Sequence, residues 1–395
     1  MATTGTTRES SALDTTLFGE PSATPAVETA SLIASMLNSG AGISDLIFSP
    51  GRPPQVEQHG QLVPVTVEGL TVLSAADTAR IARDVIRGAH HALQTLADDG
   101  ACDTSYTIGQ TARFRVNVFR QRGSFAIVMR VIASKIPSFE DLRLPPVLGE
   151  VATLKNGLVL VTGQTGSGKS STLAAVIDRI NETRADHIVT IEDPIEFLHL
   201  HKKATVHQRE LHSDTPTFAM ALRAALRQAP KVILVGEMRD RETIEVALTA
   251  AETGHLVFST LHTIDASKTV ERVVGSFDAD EQPGVRARLS ACFRYIISQR
   301  LLPKTSGGRI AVLEVLKSTL RTRDYLESGE GEGKTLLDAM RDGALDGMQY
   351  FDGEIEKLVR DNVISRSTGM LYATNPGNLQ IALADVPDED SLITR

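Results

Sequence analysis

Few cysteines, no surplus of positive charge and no long apolar run each remove a class of protein. The two cysteines in 395 residues, Cys102 and Cys292, cannot form a C-x-x-C pair, so they read as reduced thiols that pack as small hydrophobes. Lysine and arginine number 41 against 49 acids, a formal net charge of −8, and nothing global favours a nucleic-acid partner. No apolar stretch approaches the roughly 18 residues that a spanning helix needs, and no signal-peptide core opens the chain. A cytoplasmic location is expected, with peripheral docking onto a membrane assembly left open. No internal repeat is visible. With 42% apolar and 23% charged residues, the chain suits an ordinary globular protein of two or three domains.

One stretch organises the rest, Leu158-Val-Leu-Val-Thr-Gly-Gln-Thr-Gly-Ser-Gly-Lys-Ser170. An apolar run breaks into Gly163, Gln164, Thr165, Gly166, Ser167 and Gly168, then Lys169, Ser170 and Ser171 open a helix-forming segment. This is G-x-x-x-x-G-K-[ST] between a buried strand and a helix, the setting the motif requires. Glycines let the backbone wrap a polyphosphate, and successive N–H groups form an anion nest at the positive end of a helix. Lys169 is expected to reach the β- and γ-phosphates and the Ser170 hydroxyl to ligate Mg²⁺. ATP with Mg²⁺ is the expected ligand. A glycine-rich turn that binds nothing is the alternative, and strand and helix together weigh against it.

Residues 1–25, rich in Thr, Ser and Ala, are expected to be a disordered tail. Residues 26–137 read as a small α+β domain. Val27–Leu37 suggests a first helix, Ser44–Ser49 a strand, and His59-Gly60 a hairpin turn. Ser74 and Asp77 make a capping box for one helix running to Gly100, and three alternating runs between Asp103 and Ile132 suggest an antiparallel sheet. Residues 138–150, with their prolines, read as a linker. From 151 to 317 strands alternate with helices, the pattern of a mostly parallel sheet. Strands are expected over Leu158–Thr162, His187–Ile191, Lys231–Val235 and His255–Thr260. Residues 318–395 are expected to be mainly helical, with a mobile end from Asp385.

Hydrolysis needs a carboxylate near the metal and positive charge for the transition state. Val232-Ile-Leu-Val-Gly-Glu237 is an apolar strand ending in an acid, the Walker B arrangement, which makes Glu237 the candidate carboxylate and second Mg²⁺ contact. Val189-Thr-Ile-Glu-Asp-Pro-Ile-Glu196 ends another strand in acids and places Glu192 and Asp193 on the same sheet edge; caps or solvated loops are the competing roles. His255 and His262 flank one strand, and spacing alone leaves them open between satisfied polar ends and phosphate contacts. Arg113, Arg115, Arg120, Arg122 and Arg130 read on composition as a solvated face, with an arginine finger into a neighbouring subunit as the alternative.

Four motifs in order resemble the secretion/type IV pilus ATPase superfamily, within it the retraction branch. These are the P-loop Gly163–Ser170, an Asp box Thr190-Ile-Glu-Asp-Pro-Ile-Glu-Phe197, the Walker B Val235-Gly-Glu-Met-Arg-Asp240, and a His box Thr249-Ala-Ala-Glu-Thr-Gly-His-Leu-Val-Phe-Ser-Thr-Leu-His262. The likeness extends to Ser44-Asp-Leu46, Ala112-Arg-Phe-Arg-Val-Asn-Val-Phe119, Gly347-Met-Gln-Tyr-Phe-Asp352 and Ala373-Thr-Asn-Pro376. It implies an α/β fold: a PAS-like α+β domain, a RecA-like P-loop NTPase domain with a mostly parallel sheet, and C-terminal helices. It also implies a homohexamer that binds ATP between domains and drives an inner-membrane pilus platform protein from the cytoplasmic face of that membrane. By match of position, Glu237 is catalytic, Glu192 assists, His255 and His262 sense the γ-phosphate, and Arg115 and Arg130 are inter-domain arginines. With only two cysteines the chain lacks the four-cysteine zinc element of the assembly and secretion branch, which argues for retraction. Two stretches depart from the branch, Arg321-Thr-Arg-Asp-Tyr-Leu-Glu-Ser328 and Ala229-Pro-Lys231. They keep open an accessory role beside a paralogous retraction ATPase, with pilus assembly or type II secretion as the further alternative.

Overall fold

The computed structural model describes residues 13–18, 27–87, 89–109, 112–132 and 135–386. Two compact units divide between Lys135 and Ile136, with Glu196–Leu198 counted in the first.

The first unit holds helix α1 (13–18), α2 (Thr29–Leu37), strands β1 (Ile43–Phe48), β2 (Gln55–Gln58) and β3 (Gln61–Pro64), helices α3 (Ala75–Ile86) and α4 (His90–Asp99), and strands β4 (Ala101–Ile108), β5 (Ala112–Gln121) and β6 (Ser124–Ile132). The strands pair antiparallel in the order β3-β2-β1-β6-β5-β4. Alternation along β5 sends Ala112, Phe114, Val116 and Val118 into the core while Arg113 and Arg115 take the other face. Two expectations need correction. The helix opened by the Ser74–Asp77 capping box stops where Arg87 turns left-handed at φ +48°, so one long helix becomes two. Of the expected disordered tail, residues 13–18 form a helix whose Leu13, Leu17 and Phe18 pack on the core; 1–12 and 19–26 lie outside the described residues.

The second unit begins with α5 (Phe139–Leu142) and α6 (Val147–Thr153). Both belong to its core rather than to a free linker: Val147, Leu148 and Val151 are buried, with Phe139 and Leu144 packed alongside. Pro146 caps α6, a place where a missing N–H breaks no helical bond. There follow β7 (Gly157–Thr162), α7 (Lys169–Thr183), β8 (His187–Glu192), β9 (Thr205–Glu210), α8 (Phe218–Ala225), β10 (Val232–Val235), α9 (Arg241–Glu252), β11 (Leu256–Leu261), α10 (Ala266–Val274), α11 (Gln282–Cys292), β12 (Phe293–Pro303) and β13 (Arg309–Lys317). The chain ends in α12 (Leu320–Ser328), α13 (Leu336–Asp342), α14 (Phe351–Arg360), α15 (Arg366–Tyr372) and α16 (Pro376–Ala382). The expected mobile end lies outside the described residues from 387 onward.

The sheet order is β13-β12-β7-β11-β10-β8-β9, parallel throughout except for β13. Strands covered on both faces read as continuous apolar runs, and β7 shows why. Leu158 and Leu160 turn into one core with α8, α9 and α10, whereas Val159 and Val161 turn into the other with α6 and α7. A further apolar cluster joins Leu302, Ile310 and Val312 to Phe351, Ile355, Val359 and Leu379 of the terminal helices. No helix among the described residues is long and apolar enough to cross a membrane.

Candidate active site

Parallel strands all present their carboxyl ends at one sheet edge, and the glycine loop lies there between β7 and α7. Gly163 and Gly168 take φ +144° and +91°. A Cβ on Gly163 would meet the Gln299 carbonyl oxygen at 2.4 Å and Ser167 Oγ at 2.6 Å, and one on Gly168 would meet Gln299 Nε2 at 2.8 Å. The loop therefore closes against β12. Gln299, itself buried, clamps it: Nε2 donates to the Ser167 carbonyl (2.8 Å) and Oε1 accepts from Thr172 Oγ1 (2.8 Å). Lys169 is buried at the first position of α7, its Nζ donating to the carbonyls of Gly163 (2.7 Å) and Gln164 (3.1 Å). Ser170 and Ser171 follow half-buried on the first helical turn, while Gln164, Thr165 and Gly166 are exposed at the loop's crest. The Ser167 hydroxyl is buried without a hydrogen-bond partner. A loop carrying an unsatisfied hydroxyl beside a buried ammonium and helix-end amides fits a phosphate chain, and Ser170 supplies the hydroxyl that Mg²⁺ takes in such loops.

Glu237 follows β10, whose Val235 pairs with Ser259 of β11. Two bonds hold the turn: Met238 N–H donates to the Thr260 carbonyl (3.1 Å), and Thr260 Oγ1 donates to the Gly236 carbonyl (2.6 Å). Leu261 pairs with Thr162, so Glu237 stands level with the start of the phosphate loop, with only β11 between, about 10 Å across the sheet. Its carboxylate accepts from Arg239 Nε at 2.7 Å and lies 3.3 Å from His262 Nε2. His262 directly follows β11, the strand that separates loop and acid.

Glu192 ends β8 on the same edge but is drawn along its strand, accepting from Thr190 Oγ1 (2.6 Å) and Gln208 Nε2 (3.0 Å). His255 is a correction. It precedes β11 and its carbonyl accepts from Gly157 N–H at the start of β7, which puts it at the other end of a six-residue strand, about 20 Å from His262. Its Nδ1 lies 2.9 Å from the Ala250 carbonyl, a local role at the end of α9. Arg115 and Arg130 belong to the first unit and pair directly across β5 and β6. Arg130 Nε donates to the buried Asp45 carboxylate at 2.9 Å while its side chain stays 71% exposed. Both cysteines are buried, and burial pushes their thiols up to about 11 and about 12.

Sequence reasoning passed over β12 altogether, and with it Ser298 and Gln299. Its signal was there: three polar residues, Ser298, Gln299 and Arg300, inside the run Tyr295-Ile-Ile-Ser-Gln-Arg-Leu-Leu302.

Residues 77–337 match the family described as type II/IV secretion system protein. The type IV pilus retractation ATPase PilT of Pseudomonas aeruginosa is 43% identical over 337 residues, 85% of this chain and 96% of that one. The type IV pilus ATPase PilU of the same organism is 38% identical over 89% of this chain and 91% of its own. Among solved structures, that of the pilus retraction motor PilT with bound ADP superposes with a TM-score of 0.78 at 41% identity, covering 90% of this chain and 99% of that one.

Proposed function

The chain belongs to the type II/IV secretion system protein family, on its retraction-ATPase side, and from that premise we propose that it is an ATP-hydrolysing motor that withdraws a type IV pilus. The observation that carries this is the convergence of the phosphate loop, Glu237 and His262 on one sheet edge. ATP lies along Gly163–Ser171 with its β- and γ-phosphates on Lys169, which exchanges two backbone carbonyls for phosphate oxygens. Ser170, with Glu237, would hold Mg²⁺, and the metal would supply positive charge to the phosphate oxygens. Glu237 orients the attacking water and takes its proton, and His262, 3.3 Å away, holds that carboxylate in place and faces the γ-phosphate. Glu192 supports the same edge through Thr190 and Gln208.

The remaining positive charge comes from Arg115 and Arg130, acting as arginine fingers on nucleotide held by a neighbouring subunit of a homohexamer. The exposure of Arg130 supports this reading. Such a ring works as a peripheral assembly at the cytoplasmic face of the inner membrane, on the pilus platform protein. A low-turnover partner of a paralogous retraction ATPase is the second reading, since one organism carries two such relatives of this chain, at 43% and 38% identity. Deleting the gene tests the proposal: surface pili retained or in excess with twitching lost supports withdrawal, whereas loss of pili refutes it and indicates assembly.

A further inference from the structure

Three polar residues form a row across β7, β12 and β13 at the root of the phosphate loop. Ser298 pairs with Thr162 on one side and Glu314 on the other, and all three are buried. The Thr162 hydroxyl donates to Ser298 Oγ at 3.0 Å. Ser298 in turn bonds the Glu314 carboxylate through its side chain. The N–H of Ala266, first residue of α10, donates to Glu314 Oε1 at 2.8 Å. The row also approaches the catalytic edge: Thr269 Oγ1, which donates to the Asp265 carbonyl at 2.7 Å, lies 3.5 Å from Thr162 Oγ1, and Thr263, the residue after His262, bonds Thr269 at 2.7 Å. Charged groups facing Glu314 are Arg300 on β12 and Asp265, the cap of α10. Arg300 is itself engaged with the Tyr372 carbonyl (2.7 Å) and the Phe351 ring. Burial outweighs these partners and pushes the carboxyl up to about 7.

A hydroxyl carries one proton, so the row has a direction. An ionised carboxylate only accepts, which obliges Ser298 to donate to it and accept from Thr162. A protonated Glu314 has a proton to place. Giving it to Ser298 reverses the row, and Thr162, adjoining Gly163, must then turn its own proton elsewhere. We infer that Glu314 is a positioning residue for ATP hydrolysis, its ionisation setting the direction of the Ser298–Thr162 hydroxyl row and so the set of the His262 turn beside Glu237. The ionised form is the competent one, because it leaves Thr162 donating downward, away from the loop. Turnover therefore rises through neutral pH, while nucleotide affinity, set by Lys169 and the loop amides, changes little.

The inference rests on the ATPase reading of the same site. It is tested by measuring kcat and KM for ATP between pH 6 and 8.5 on the full chain, the Glu314→Gln variant and the Ser298→Ala variant. A group near pH 7 goes from about one-tenth to about nine-tenths ionised between pH 6 and 8, so the unaltered protein should gain five- to ninefold in kcat with KM within about twofold. Glu314→Gln keeps an acceptor for Ala266 but donates to Ser298, fixing the reversed row; its kcat should stay flat, near the unaltered protein's value at pH 6. Ser298→Ala cuts the row and should also flatten the profile, and it decides the matter should Glu314→Gln fail to fold. A variant that keeps the unaltered pH profile overturns the inference, as does a loss lying wholly in KM. Absence of turnover at every pH in the unaltered protein would instead sink the ATPase reading itself.

Discussion

Replacing Gln299 by leucine keeps the bulk of the side chain and removes only its polar end. Two buried groups then lose their partners: the Ser167 carbonyl, which receives Gln299 Nε2, and the Thr172 hydroxyl, which donates to Oε1. An orphaned buried polar group costs about 1–3 kcal/mol, and the added apolar burial offsets part of that, leaving a net loss of about 2–4 kcal/mol. For a unit of this size each kcal/mol moves the melting temperature by roughly 2–4 °C, so a fall of roughly 4–16 °C is expected by thermal-shift measurement. Because the lost bonds tie the loop to β12, KM for ATP should also rise, by about fivefold or more. A melting temperature within about 1 °C of the unaltered protein, together with an unchanged KM, would refute the clamp.

The two histidines of the His box should separate. His262→Ala is expected to lower kcat at least about tenfold, and His255→Ala to leave it within about twofold; equal losses would contradict their placement at opposite ends of β11. Arg130→Ala should cut kcat by about a thousandfold with nucleotide affinity little changed, the behaviour of a transition-state arginine; parallel loss of binding would count against that role. Stability should also carry the signature of Glu314, whose carboxyl is raised from 4.5 to about 7 on folding. Between those values the folded protein holds a proton that the unfolded chain has released, so stability falls as pH rises through this window and the loss is complete above about 7. It amounts to about 3 kcal/mol. Glu314→Gln should therefore gain on the unaltered protein in melting temperature between pH 5 and 8, and parallel curves would refute it.

The parts most legible in the sequence are those where local pattern and tertiary role coincide. The apolar runs of β7, β8, β10 and β11 lie within a residue of their expected bounds, because a strand buried on both faces needs an unbroken apolar run and little else shares that pattern. The glycine loop was legible because phosphate wrapping restricts residue type so tightly. What escaped depends on contacts distant in sequence. β9 is a polar edge strand, Thr205-Val-His-Gln-Arg-Glu210, without an apolar run to announce it. β12 joins Ser298 to Thr162 across 136 positions, and no local spacing records that. His255 misled for a related reason: a motif lists both histidines together, whereas an extended strand drives its two ends apart.

The central claim is that Glu237 cleaves the triphosphate held at Lys169. It is tested most directly by steady-state ATP turnover of the purified protein beside Glu237→Gln, with nucleotide affinity measured in parallel. The account predicts turnover reduced at least about a hundredfold in the variant with affinity within a few-fold; turnover indistinguishable between the two proteins would contradict it.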